Sequence, residues 1–235
     1  MSAKRLDDLR RFYVALSVLE QKLGGARTLG SCSGRMNWPR RGVYFFREGG
    51  EERTHSGSGP RIVRVGTHAL KEDSSTLLWT RLSQHRGRLS SGGGNHRGSI
   101  FRLIVGRSLI TRHDYEFATW GKGNNAPKAI RAGEVALECE VSGLIGAMPF
   151  LWLAIDDDAG PESLRGFIER NTIALLSNYK KEPLDLPSSK WLGHDCDRER
   201  VRSSGLWNSN HVEEGYDPAF LDTLERLVKE TEPLR

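Results

Sequence analysis

Three short β-rich runs set the limits on what this chain can fold into: Val43-Tyr44-Phe45-Phe46, Ile62-Val63-Arg64-Val65 and Phe150-Leu151-Trp152-Leu153-Ala154-Ile155. The last is continuously apolar and bounded by Met148-Pro149 and Asp156-Asp157-Asp158, the pattern of a buried strand. The first two are separated by a Gly/Ser/Glu stretch from Arg47 to Pro60 and read as a hairpin with a long tip, expected to be mobile or to bind a partner. Helical spacing fills much of the rest. Leu6, Leu9, Phe12 or Tyr13, Leu16, Leu19 and Leu23 trace an amphipathic helix over 5–23 that Gly24-Gly25 ends, a packing or dimerising element. Ser74 or Ser75 is expected to cap a helix through Leu78, Leu82 and His85, ended by Gly87. Residues 100–110 fit a helix or a buried strand, and the helix, with Ser99 as its cap, is preferred. Further helices are expected over about 128–145, from Pro161 through Leu164, Phe167, Ile168, Leu175 and Leu176, and from Pro218 through Leu227-Val228.

Few strands among many helices imply an α/β (α+β) fold: a small, mainly antiparallel three-stranded sheet flanked by helices. With 235 residues, 37% of them hydrophobic, the chain can bury one full core. Its expected parts are an N-terminal helix and connector (1–37), a central domain (38–183) with a basic, helical insertion at about 87–149, and a loop-rich and helical extension (184–235) packed on the same body. No run of roughly 18 apolar residues and no signal-like start is present, so a soluble, cytoplasmic protein with no membrane partner is expected. Cys32, Cys139 and Cys196 are odd in number and far apart, which suits free thiols better than a disulfide framework or a zinc site.

Net charge is +5, but its placement says more. Ser74 to His113 contains no Asp or Glu, yet holds Arg81, Arg86, Arg88, Arg97, Arg102, Arg107 and Arg112 with His85, His96 and His113. Arginine suits bidentate phosphate contact, so Arg86, Arg88, Arg97 and Arg102 are candidate nucleic-acid contacts. Charge alone fits equally a solvated basic face balanced by acids elsewhere.

Four residues have the right chemistry for a phosphodiester. Arg81 and His85 are four apart and share one helical face, where two potential cations repel mildly and an anion between them would resolve the conflict. Glu169 stands at the margin of an apolar face beside Thr172 and Leu176, so its charge needs a metal or an arginine partner. Tyr44 adds a phenol. A phenol, a fixed cation, an imidazole and a carboxylate from separate elements form an inventory for one-metal hydrolysis. Other motifs fail: Gly121-Lys122-Gly123-Asn124-Asn125 lacks the P-loop order, and adjacent His194-Asp195-Cys196-Asp197 rarely converge on one ion. Trp191 and Trp207 fit anchors of the C-terminal tail.

Gly42-Val43-Tyr44 and Arg64-Val65-Gly66, followed by the helix Thr76 to His85 and then Ile168-Glu169-Arg170-Asn171, resemble in order the motifs of the GIY-YIG nuclease family. The resemblance covers roughly residues 40–180, with about sixty residues inserted before the third strand. It departs from the family at Arg64, which stands where a second tyrosine is usual, and in the longer spacing between the two motif halves. The resemblance implies a DNA endonuclease with Tyr44, Arg64, Arg81, His85, Glu169 and Asn178 at its site, leaving a 5′-phosphate and a 3′-hydroxyl. It implies Mg²⁺ or Mn²⁺ held by Glu169. Asn178 fits equally well as a helix C-cap. The alternative is a nucleic-acid-binding or partner-docking module on a degenerate nuclease domain, for which Arg64 is the best argument. DNA is the expected partner in both, with a homodimer through the N-terminal helix as a further possibility.

Overall fold

A computed structural model describes residues 2–233. Its strands are β1 (Arg27–Thr28), β2 (Gly42–Glu52), β3 (Pro60–Gly66) and β4 (Pro149–Ala154). All pair antiparallel, in the order β1-β4-β2-β3. The expected three strands are present. The fourth, β1, is two residues long, too short to leave a period in the sequence, and extends β4 through Arg27 opposite Phe150.

The α-helices among the described residues are α1 (Ser2–Lys22), α2 (Leu78–Arg86), α3 (Ile100–His113), α4 (Lys128–Gly133), α5 (Val135–Ala147), α6 (Leu164–Leu176), α7 (Glu199–Ser204) and α8 (Phe220–Glu230). They cover both sheet faces, because β2 is apolar on both. Phe45 meets Phe12 of α1, while Tyr44 and Phe46 on the alternate face meet His85 of α2 and Phe101 of α3. The result is a mixed α/β architecture consistent with a GIY-YIG-like fold.

Several boundaries differ from expectation. The N-cap of α2 is Leu77, not a serine: the Arg40 carbonyl accepts the Leu78 N–H at 3.0 Å and replaces the side-chain cap. Pro161 lies in a turn before α6, whose cap is Ser163 accepting from the Gly166 N–H. The single helix expected over 128–145 is split at Glu134, whose carboxylate is drawn to Arg97. Residues 100–113 are helical, and Ser99 caps them by accepting from the Arg102 N–H.

The hairpin tip is not a loose segment. β2 continues to Glu52, and the Asp185 carboxylate accepts hydrogen bonds from the backbone N–H groups of Thr54, His55 and Ser56 at 2.7–3.0 Å. Glu51, buried in the same region, is paired with Arg61. The C-terminal segment is anchored where the tryptophans were expected to anchor it, and Trp191 and Trp207 both donate their indole N–H to Glu48. The apolar face of α1, including Leu9, Phe12, Leu16 and Leu19, is buried in the protein's own core, with Arg11 tying the helix to Glu225 of α8. A homodimer through that face is therefore not supported.

Candidate active site

The two motif halves face each other across the hairpin: Tyr44 of β2 is the register partner of Gly66 of β3. A Cβ at Gly66 would overlap the Tyr44 phenol, so the glycine is required by the tyrosine's ring. Gly42 is required in the same way, since a Cβ there would collide with the Leu153 carbonyl of β4. These contacts explain two motif glycines by close approach of neighbours, and neither has a positive φ.

Tyr44 and His85 are fully buried, and their polar atoms meet, with Tyr44 Oη 2.8 Å from His85 Nε2. His85 Nδ1 lies 2.7 Å from Ser99 Oγ, which also accepts the Arg102 backbone N–H. If Ser99 donates its hydroxyl hydrogen to Nδ1, every buried hydrogen has an acceptor: Nε2–H then donates to Tyr44 Oη, and the Tyr44 O–H is left for the cavity. The opposite tautomer strands the Ser99 hydrogen. Burial, followed by the charges of Arg81, Arg64 and Arg102, holds His85 well below the usual histidine range and hence neutral.

Arg64 is buried on β3, donates to the Trp207 carbonyl and lies over the Phe101 ring. Desolvation pushes its pKa down, opposed by Tyr44 and Glu169 beside it, and its Nε has no hydrogen-bond partner among the described residues. Glu169 of α6 accepts the Thr67 N–H at 3.1 Å. Burial raises its pKa, while Arg64, then His211, the Thr67 N–H and Arg81 oppose the rise. Arg81 is tethered from one nitrogen to Gln84 Oε1 and the Gly98 carbonyl, both at 3.1 Å.

Tyr44, Arg64, Arg81 and Glu169 line one cavity of about 590 Å³, with His85 directly behind the phenol. Four elements distant in sequence are thus brought together. Asn178 is not: its Oδ1 accepts from Arg5 and the Leu184 N–H, its Nδ2 donates to the Leu184 carbonyl, and it does not line this cavity. It is a latch at the end of α6.

The candidate nucleic-acid arginines divide. Arg97 forms a bidentate pair with Glu134 at 2.6 and 2.9 Å, nearly buried on both sides. Arg102 is fully buried, pairs with Glu138 and donates to the His85 carbonyl at 2.9 Å. Neither is available to phosphate, because acids from the α4–α5 region claim them. Arg86 reaches the Cys32 carbonyl and lies over the Trp79 ring, and with exposed Arg88 it lines a separate cavity of about 380 Å³.

Sequence reasoning missed part of the cavity wall: His68 after β3, Arg198, and the run Asn208 to His211. Polar residues in a loop-rich tail carry no periodic signal; only Arg198 stands out there, as one of the arginines near Trp191 and Trp207 that could contact nucleic acid. His68 is buried, and desolvation followed by the charge of Arg165 lowers its pKa to about 4.

The cavity suits a hard cation. Glu169 has one oxygen held by Thr67 and the other without a hydrogen bond among the described residues, and burial, the main cause of its raised pKa, makes its charge costly without a bound partner. No group of three or more His, Cys, Asp or Glu converges among the described residues, so one carboxylate would be the protein's whole contribution and oxygens of water and phosphate the remainder.

No curated protein and no solved structure matches the chain. The family model described as GIY-YIG domain matches residues 3–234, nearly the whole length, and the chain belongs to the GIY-YIG domain family.

Proposed function

We propose that the chain is a divalent-metal-dependent endonuclease that hydrolyses DNA phosphodiester bonds. The reading is carried by the convergence of Tyr44, Arg64, Arg81 and Glu169 on one cavity in a domain whose family is usually nucleolytic. Glu169 would hold Mg²⁺ or Mn²⁺, which would polarise the phosphate and stabilise developing charge. Arg81 and Arg64 present guanidinium groups for the phosphoryl oxygens. Tyr44 would accept the proton of the attacking water once its own hydroxyl hydrogen, which faces the cavity, has left to solvent, with His85 Nε2–H and the neighbouring Arg64 compensating the charge. Ser99 fixes the tautomer of His85 on which that arrangement depends. The products are a 5′-phosphate and a 3′-hydroxyl.

A binding module without catalysis is the second reading. It is favoured by Arg64 standing in place of a phenol and donating into the Trp207 carbonyl. Incubation of labelled plasmid and branched DNA with Mn²⁺, and with chelator, separates the two. Metal-dependent cleavage that Glu169→Gln abolishes, with low-salt binding retained, supports the nuclease; binding without cleavage under every divalent metal supports the module.

A further inference from the structure

In that scheme Tyr44 and His85 serve the attacking water, Arg81 and Arg64 the phosphoryl oxygens, and no residue is assigned to protonate the oxygen that leaves. The C-terminal segment contributes a histidine to the same cavity. His211 lines it together with Glu169, and its charge reaches the Glu169 carboxylate. His211 Nδ1 lies 2.7 Å from Glu214 Oε1, and the Glu214 backbone N–H donates to the His211 carbonyl at 3.3 Å, closing a turn that orients the pair. Nε2 has no hydrogen-bond partner among the described residues. The backbone of His211 is left-handed, φ 63°, a conformation unfavourable for a non-glycine residue. The side chain remains 31% exposed, so the turn gains little burial to offset that strain. It does hold an imidazole, backed by a carboxylate, in the wall of the cavity.

We propose that His211 is the general acid of the phosphodiester hydrolysis, giving a proton from Nε2 to the 3′ oxygen while Glu214 holds the ring through Nδ1. The proposal rests on the nuclease reading. The water oxygen bonds to phosphorus and its proton passes to Tyr44; the P–O3′ bond breaks, its electron pair stays on O3′, and O3′ takes the His211 proton. The neutral imidazole then regains a proton from solvent, to which its side chain is partly open.

The test uses the full chain and two DNA substrates that differ only in sulfur replacing the bridging 3′ oxygen at the linkage the wild type cuts. A thiolate leaves without protonation. His211→Asn keeps a residue that tolerates a left-handed backbone and cannot act as an acid. It is expected to slow cleavage of the oxygen ester by roughly 10²- to 10⁴-fold and to cut the sulfur ester within a few-fold of wild type. Glu214→Gln should show the same pattern with a smaller loss. Duplex binding in chelator and the unfolding midpoint, both near wild type, establish that the variants fold. Equal loss on both esters, as expected if His211 held a metal or only supported the wall, overturns the proposal alone, as does undiminished cleavage of the oxygen ester. Wild-type chain that cuts neither ester overturns the nuclease reading and this proposal with it.

Discussion

Gly66 is in the motif because of Tyr44, not because of its own backbone. An added methyl would overlap the phenol, and the ring, packed between Phe46 and His85, has little room to yield. Gly66→Ala should therefore destabilise by about 1–3 kcal/mol, as overpacked cores do, and break the 2.8 Å contact of Tyr44 with His85. Denaturant unfolding and cleavage of a DNA substrate check both effects. Ser99 makes two contacts, capping α3 and meeting His85 Nδ1, through which its hydroxyl would set the tautomer. Ser99→Ala should lose about 1 kcal/mol from the cap and most of the cleavage activity; Ser99→Asn, a cap of comparable strength, should recover stability without recovering activity. If Ser99→Asn is as active as wild type, the hydroxyl does not set the tautomer. Tyr44 and Glu169 were legible as residues with chemistry. Ser99 was legible only as a cap, because its second partner lies fourteen residues back and becomes a neighbour only after α2 and α3 pack.

At the scale of elements, the acid-free stretch from Ser74 to His113 shows how charge in sequence and charge in space diverge. Local composition gave it seven unpaired arginines. Folding brings Glu134 to Arg97, Glu138 to Arg102, Asp197 to Arg107 and Asp195 to Arg112, and leaves Arg81, Arg86 and Arg88 without a carboxylate among the described residues. All three lie on α2 or just beyond its end. Replacing Arg86 and Arg88 by Ala should lower the slope of log K against log salt by up to about 0.9 for each duplex phosphate that the chain no longer neutralises, measured by binding titration in chelator. Arg102→Met should act differently, leaving Glu138 buried without its partner and costing about 3–5 kcal/mol, read from the denaturation midpoint. An unchanged salt slope in the first variant would place DNA on another face.

For the whole molecule, the buried histidines set a pH limit. His68, at about 4, and His85, well below its ordinary value, bind protons less readily in the folded chain than in the unfolded one, where histidine titrates near 6.5. The stability they contribute is complete above about pH 6.5 and is lost as pH falls toward 4, because the unfolded state then takes up more protons. Glu169 opposes this: with its pKa raised above 4.5, it favours the folded state as pH falls through the window above that value. Glu48, raised in the same way by burial, acts with Glu169, but both carboxyls start from near 4.5 while the histidines span the window from 6.5 down to about 4, so the thermal midpoint should decline between pH 7 and pH 4, and less steeply in His68→Gln. Differential scanning calorimetry across that range decides the matter, and a flat profile would mean that the histidines are not held neutral. The C-terminal segment meets the sheet at Glu48 of β2, which receives both of its buried indoles.

The sequence alone determined the strand runs, most helices and the order of the four motif residues, because periodicity, apolar runs and turn residues are local properties of the chain. It also determined the identity of the chemistry: one phenol, one imidazole, two guanidinium groups and one carboxylate. Only the tertiary structure decided which of those groups meet. Arg64, Arg81 and Glu169 share a cavity with Tyr44, while Asn178, closer to Glu169 along the chain than the family's spacing, is turned to Arg5 and Leu184 instead. The fourth strand and the tethered hairpin tip were likewise decided by long-range partners, Pro149-Phe150 and Asp185, and the run from Asn208 to His211 joins the cavity wall only in the fold. Residues a hundred or more positions apart that touch leave no period in a single sequence, so their meeting becomes visible only when the chain has closed upon itself.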